Sequence, residues 1–198
     1  MPKSRNSRPI PFALRKEVHE HVEEMLADHI IEESYSYVNP LTLVQRDGKS
    51  VRICLDAREA NTFMTPDRAK VPAMQMLLQR FHGTSYISTL DLSSAFLQIP
   101  LEESSRKWTA FQFQNKVYQF TRVPYGFRNS LSAFIRALQS VLEGDTSEYA
   151  LHYVEDLVVF SKTFDEHLDH LDSVFRKLTT AGFTMNQRYA IPFAFLET

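Results

Sequence analysis

The stretch YALHYVEDLVVFS, residues 149–161, is the most informative in the chain, because strand-forming residues run on both sides of two adjacent acids, Glu155 and Asp156. Tyr, Leu, Val and Phe favour extended backbone. Two carboxylates in the middle of such a run cannot both enter a core, since an unpaired buried charge is strongly unfavourable. They are therefore expected to project from a tight turn between two strands. There they either face water, as acids at hairpin tips do, or hold a cation.

Just downstream of this hairpin, Thr163-Phe164-Asp165-Glu166 forms a capping-box pattern that opens a helix. Its spacing puts Leu168, Leu171, Val174, Phe175 and Leu178 inward, and Gly182 is its expected stop. His167 and His170 fall on the polar side of that helix, with no Cys or further ligand spacing to suggest zinc. Upstream, Leu131, Phe134, Ile135, Leu138, Val141 and Leu142 mark an amphipathic helix, and Pro124-Tyr125-Gly126 a turn. Trp108 to Phe113 and Val117 to Phe120 read as strands around Gln114-Asn115-Lys116. Tyr86 to Leu90 reads as a strand ending at Asp91, and Ser93 as the cap of the next helix.

In the N-terminal half, residues 1–13 read as a flexible arm, basic and proline-flanked at its start. Leu14, Val18, Val22, Met25, Leu26 and Ile30 then keep a helical period to about Ile31. Residues 41–44 and 51–56 are two β-rich runs around Asp47-Gly48, the second alternating with Val51, Ile53 and Leu55 on one face and Arg52, Cys54 and Asp56 on the other. Pro66 and Pro72 bracket an extended linker before a short helix at 73–81, with Gly83 as its stop. His19 and His21, two apart, fall on different helix faces, and Cys54 reads as structural. Helices and hairpins interleave, so the expected fold is mixed α+β.

The 198 residues suffice for one domain or two small lobes. An apolar content of 43%, five glycines and a single cysteine exclude a disordered, collagen-like or disulfide-built chain and point to a reducing compartment. No apolar run reaches the length of a membrane span, and the polar N-terminus is unlike a signal peptide. The expected location is intracellular, cytoplasmic or particle-associated, without membrane or secretion. The net charge of −2 argues against global electrostatic affinity for nucleic acid. Cations nevertheless gather at residues 3–8 with Arg15 and Lys16, at 46–58, and at Arg122, Arg128 and Arg136.

Asp91 on its own reads as a helix cap. Taken with Glu155 and Asp156, it makes three carboxylates at strand ends, a set that suits two divalent cations about 4 Å apart of the kind used in phosphoryl transfer. The ordered runs LDLSSAFLQIP (90–100), FTRVPYGF (120–127) and YVEDLVVFS (153–161), preceded by Arg52-Ile53-Cys54-Leu55-Asp56-Ala57-Arg58 and Asn61, resemble the reverse transcriptases of gypsy-type LTR retrotransposons and their retroviral relatives. The resemblance covers about residues 10 to 186.

That resemblance implies polymerase fingers and palm, with residues 14–82 forming the fingers and N-terminal helix. Residues 83–198 would form the palm, its ferredoxin-like antiparallel sheet backed by packed helices, with part of the fingers around 101–122. It further implies RNA-directed DNA polymerase activity, in which deoxynucleoside triphosphates extend a primer on an RNA or DNA template with two Mg²⁺ or Mn²⁺ ions. Asp91, Glu155 and Asp156 take the metal-binding catalytic positions. Arg52 would meet the incoming triphosphate, with Arg46 or Lys49 assisting. Phe96 would stack under the sugar and exclude a 2′-hydroxyl, Tyr125 and Gly126 would line the nucleotide pocket, and Tyr153 would lie beside the primer terminus. On their own, without the ordered motifs, Arg52, Phe96 and Tyr153 read as an exposed strand residue, a core aromatic and a packed strand residue.

Two departures stand out. The family's Tyr-x-Asp-Asp reads Tyr153-Val154-Glu155-Asp156 here, and the extra methylene moves a ligand carboxylate by about 1 Å, a shift that can cost roughly 10²-fold in rate. After Arg188 the expected Lys-Cys and Phe-Leu-Gly pattern is replaced, without a primer-gripping hairpin, thumb or RNase H sequence beyond it. The chain thus reads as fingers and palm of a longer Pol polyprotein, or as an impaired remnant that folds and at most binds nucleic acid or a partner.

Overall fold

The computed structural model describes residues 9–44, 51–67, 79–92, 94–153 and 156–185. The chain divides into two compact units, residues 1–67 with 99–130, and residues 68–98 with 131–198.

In the first unit a 3-10 turn at Phe12–Leu14 leads into α1 (Arg15–Ala27), which buries Val18, Val22 and Met25. The helix stops four residues before the expected Ile31. The amides of His29 and Ile30 donate back to the carbonyls of Leu26 and Met25, and His29 takes a left-handed backbone with φ 54°. This is a Schellman ending without glycine. It turns β-branched Ile31 out of the helix and into β1 (Ile31–Glu33).

β1 pairs with β6 (Lys116–Phe120), which pairs in turn with β5 (Phe111–Phe113), giving a three-stranded antiparallel sheet. Trp108, expected in a strand, lies instead in a 3-10 turn at Lys107–Thr109. The Thr109 hydroxyl donates to the Arg106 carbonyl at 2.7 Å and accepts from the Phe120 amide at 2.9 Å, which holds the turn closed against β6. β2 (Leu41–Val44) and β3 (Arg52–Leu55) pair in register from Leu41 opposite Leu55 to Val44 opposite Arg52. Along β3 the expected alternation is observed, with Val51, Ile53 and Leu55 buried. Buried Asn39 ties the entry to β2 to the entry to β5, donating from Nδ2 to the Trp108 and Ala110 carbonyls at 2.8 and 3.0 Å. Two short helices, α2 (Arg58–Phe63) and α3 (Glu103–Arg106), complete this unit.

The second unit is built on β4 (Tyr86–Asp91), β7 (Ala150–Tyr153) and β8 (Asp156–Ser161), in the order β4–β8–β7 and wholly antiparallel. A bridge from Leu92 to Met185 adds a further neighbour on the free side of β4. Between the strands come α4 (Ser130–Val141), the short α5 (Thr146–Tyr149) and α6 (Phe164–Thr180). Leaving out α5 and the 99–130 excursion, the succession β4, α4, β7, β8, α6, Met185 with spatial order Met185–β4–β8–β7 is the βαββαβ ferredoxin-like arrangement. The helix expected at 73–81 lies largely outside the described residues, as does the Ser93 cap. Beyond β4 the chain forms a single 3-10 turn, Ala95–Gln98.

α6 opens with the expected capping box, both of its hydrogen bonds present, and ends in a Schellman pair on Gly182 and Phe183. Its inward face differs from expectation. Leu168 is 47% exposed, while His167 is completely buried against β4 and β8. The imidazole is accommodated because both ring nitrogens have partners, Ser88 Oγ at 2.8 Å from Nε2 and Ser161 Oγ at 2.9 Å from Nδ1. The Ser161 hydroxyl also lies 2.7 Å from His170 Nδ1, and the His170 ring stacks on Tyr149 at 3.7 Å.

Candidate active site

β4 ends and β8 begins at the same level of the sheet, so Asp91 stands directly opposite Asp156, and Asp156 is in turn opposite Tyr153 on β7. Asp156 is thus the first residue of a strand rather than part of the turn, and only positions 154 and 155 separate the two strands. Side chains directly opposite in an antiparallel pair share a face with Cβ atoms about 4.5–5.5 Å apart. Asp91, Asp156 and Tyr153 therefore form one row across three strands. Asp91 is half-buried and Asp156 exposed.

The two faces of this sheet differ. Ser88, Leu90, Leu157, Val159, Ala150 and His152 are buried, on the face that α6 covers. The row of acids ends the other face, where Leu151 and Phe160 are packed by Phe81, Ile87, Tyr153 and Val158. Arg80 closes that apolar patch, its guanidinium 5.4 Å over the Phe160 ring and donating to the carbonyls of Ser147 and Glu148. His152 and His167 both have imidazole pKa values held below the ordinary 6.5 by burial, with His170 adding repulsion at His167. Behind the acids, His167 ties β4 to β8 through Ser88 and Ser161.

Like charges directly opposite one another destabilise a sheet. A divalent cation relieves that repulsion, and paired hard oxygen donors are the ligands that Mg²⁺ prefers. Among the described residues no group of three or more metal-ligating side chains is assembled. Glu155 lies outside them, so the donor set seen is the opposed pair Asp91 and Asp156.

Phe96 sits on the 3-10 turn directly after β4, its ring 5.7 Å from Phe134 of α4 and steeply tilted to it. That turn is pinned at Gln98, whose side-chain amide exchanges two hydrogen bonds with the Thr184 backbone at 2.8 and 2.9 Å.

A second group of candidate residues forms in the first unit. The Arg52 guanidinium lies 4.5 Å over the centre of the Tyr125 ring. The Tyr125 carbonyl accepts from the Leu55 amide at 3.1 Å, which fastens the 124–126 turn to β3. Gly126 has φ +108°, and a Cβ there would stand 2.1 Å from the Leu55 carbonyl oxygen. The backbone that this glycine visibly admits is that of β3. Asn61 of α2 holds the turn from outside, donating to the Gly126 carbonyl at 3.0 Å and accepting from the Arg128 amide at 2.9 Å. Arg46 and Lys49 lie outside the described residues.

The eight residues singled out from sequence thus fall into an acidic row with a following aromatic turn in one unit and an Arg–Tyr–Gly group in the other, with Glu155 undescribed. The residues that sequence reading missed are the supporting ones. Ser88, Ser161 and His167 carried a signal, since serines at inward strand positions need a polar partner, but only the register shows that they share one.

Antiparallel strands with two carboxylates opposed at their ends, on a ferredoxin-like sheet, define the palm architecture of template-directed polymerases. The reverse transcriptase (RNA-dependent DNA polymerase) family matches residues 4–188. Two Drosophila melanogaster relatives, the retrovirus-related Pol polyproteins of transposons opus and gypsy, are 33% and 34% identical over 91% and 86% of this chain. The chain spans 18% and 17% of their lengths. A foamy viral protease-reverse transcriptase solved in complex with double-stranded DNA superposes with a TM-score of 0.91 at 24% identity, over 98% of this chain and 34% of that one. Another, in complex with an RNA/DNA hybrid, gives 0.87 at 25% identity over 96% of this chain and 26% of that one. The chain belongs to the reverse transcriptase family, and its fold is the α+β fold of polymerase fingers and palm.

Proposed function

We propose that this chain is the fingers and palm of a retrotransposon reverse transcriptase that adds deoxynucleotides to a primer 3′-hydroxyl by a two-metal mechanism. The observation that carries the reading is the register of Asp91 against Asp156, which brings two carboxylates together at adjoining strand ends as paired oxygen donors for a cation. On this reading the first unit supplies the fingers and the second the palm.

Asp91 and Asp156, with Glu155 between the paired strands, hold two Mg²⁺ or Mn²⁺ ions. When bound, such ions lower the pKa of a coordinated hydroxyl and stabilise charge on the reacting and leaving phosphate oxygens. Arg52 binds the triphosphate through the planar fork of its guanidinium. Phe96 packs under the sugar and rejects a 2′-hydroxyl by bulk, Tyr125 and Gly126 border the nucleotide, and Tyr153 sits beside the primer end. The duplexes held by the foamy viral relatives support a primer annealed to an RNA or DNA template as the partner. The curated relatives' length supports a longer Pol polyprotein as the natural setting.

The test is primer extension on a homopolymer template with Mg²⁺ or Mn²⁺. Asp91→Asn is expected to abolish extension, and Glu155→Asp to raise the rate by up to roughly 10²-fold by restoring the shorter ligand. Extension untouched by Asp91→Asn removes the site assignment. No extension by the folded parent or by Glu155→Asp removes the enzymatic reading of this chain.

A further inference from the structure

We propose that Tyr125 acts as a positioning residue, its ring serving as the platform that fixes the Arg52 guanidinium for a polyphosphate. The inference rests on the reading of Arg52 as the triphosphate ligand and assigns Tyr125 a role exerted through that residue.

A free arginine side chain samples many rotamers, and each must be given up when its donors are aimed at phosphate. Here the guanidinium is already held, 4.5 Å over the Tyr125 ring. Ring and phosphate make different demands on the group. An aromatic ring engages the flat face of guanidinium, whereas its N–H donors lie in the plane and point outward from its edge. An arginine that meets a ring by its face can therefore chelate phosphate at the same time, its fork presented rather than consumed.

The platform is itself fixed. Its carbonyl is bonded to the Leu55 amide, three residues along the strand from Arg52, and Gly126 lets the turn lie against the Leu55 carbonyl. On the N-terminal side of the turn, Pro124 accepts from the Ser130 hydroxyl at 2.8 Å, and beyond it Asn61 holds Gly126 and Arg128. At the other end of β3, the Val51 amide donates to Glu17 Oε1 of α1 at 2.6 Å. Arg52 thus leaves a strand anchored on both sides of it and meets a ring bonded to that same strand. The contact with the guanidinium is made by the ring, which phenylalanine keeps and an aliphatic residue does not.

The experiment is an equilibrium titration of the full chain, in Mg²⁺, with two probes, dTTP and inorganic tripolyphosphate. The second probe has no base or sugar, so it reads the phosphate contact alone. Tyr125→Leu is expected to weaken both probes by about three- to tenfold, while Tyr125→Phe stays within about twofold of the parent. In an Arg52→Gln background, Tyr125→Leu is expected to add nothing, the signature of two residues acting as one unit. Tyr125→Met, which keeps bulk but has no ring, carries the test if the leucine variant does not fold. Weakening confined to dTTP would leave Tyr125 only its place at the border of the nucleotide, with no effect on the phosphate contact, and overturn the inference. Additive losses, or equal losses for the phenylalanine and leucine variants, would also overturn it. Unchanged tripolyphosphate binding in Arg52→Gln would overturn the assignment of Arg52 itself, and the platform with it.

Discussion

A single absent side chain sets the geometry of the Arg52 group. Gly126 combines a left-handed φ of +108° with a Cβ position 2.1 Å from a backbone oxygen that cannot swing away. Gly126→Ala must therefore take on strain and displace β3 or the turn, an expected loss of about 2–4 kcal/mol measurable as a lower urea midpoint. Turn-forming Pro-Tyr-Gly is legible in the sequence, but its reason is not, because a glycine needed for φ and one needed for a neighbour's approach look alike in one dimension. His167 makes the reverse case. Helical spacing puts it four residues from Leu171 and seven from Val174, and only the habit of counting histidine as polar assigns it to solvent.

Among the elements, hairpins were the most legible because their signals are local, with Asp-Gly and alternating residues at 41–56 and strand formers flanking two acids at 149–161. Helix ends were less so. α6 ends where Gly182 announces it, but α1 ends on His29, a residue that takes the left-handed conformation without advertising it. The pairing of β4 with β8 had no local signal, since nothing near Asp91 states which strand lies opposite.

α6 offers two tests. Thr163→Ala removes the capping-box acceptor and is expected to cost about 1 kcal/mol, read as a lower thermal midpoint. The buried imidazoles give a pH dependence whose sign is set by their lowered pKa values. The unfolded chain binds protons at His152 and His167 more readily than the folded one, so stability is full above the ordinary value of 6.5 and is lost as pH falls through it. The thermal midpoint should drop between about pH 7.5 and pH 5.5, and His167→Asn should flatten that slope while lowering the midpoint at the upper end.

For the whole molecule, a net charge of −2 means that any hold on nucleic acid comes from local cations rather than from the overall field. Binding to a primer–template duplex should then be steeply salt-dependent, weakening by roughly ten- to a hundredfold between about 50 and 200 mM salt in a filter or anisotropy assay. A salt-independent affinity would contradict phosphate contacts as its source. Among the described residues no helix is long and apolar enough to cross a membrane.

The 99–130 excursion separates the synthesis of β4 from that of its ladder partner. β4 emerges from the ribosome by Asp91, yet its ladder partner β8 begins only at Asp156, after the whole returning segment of the first unit has been made. The first unit has all its strands once Ser130 is out, so it can close while β4 still waits with its amides and carbonyls unsatisfied. For that interval the nascent polypeptide carries an open strand edge ending in an acid. A charge at such an edge disfavours its pairing with a neighbouring chain. Asp91 would then protect the strand in translation before it takes up any role in the finished sheet.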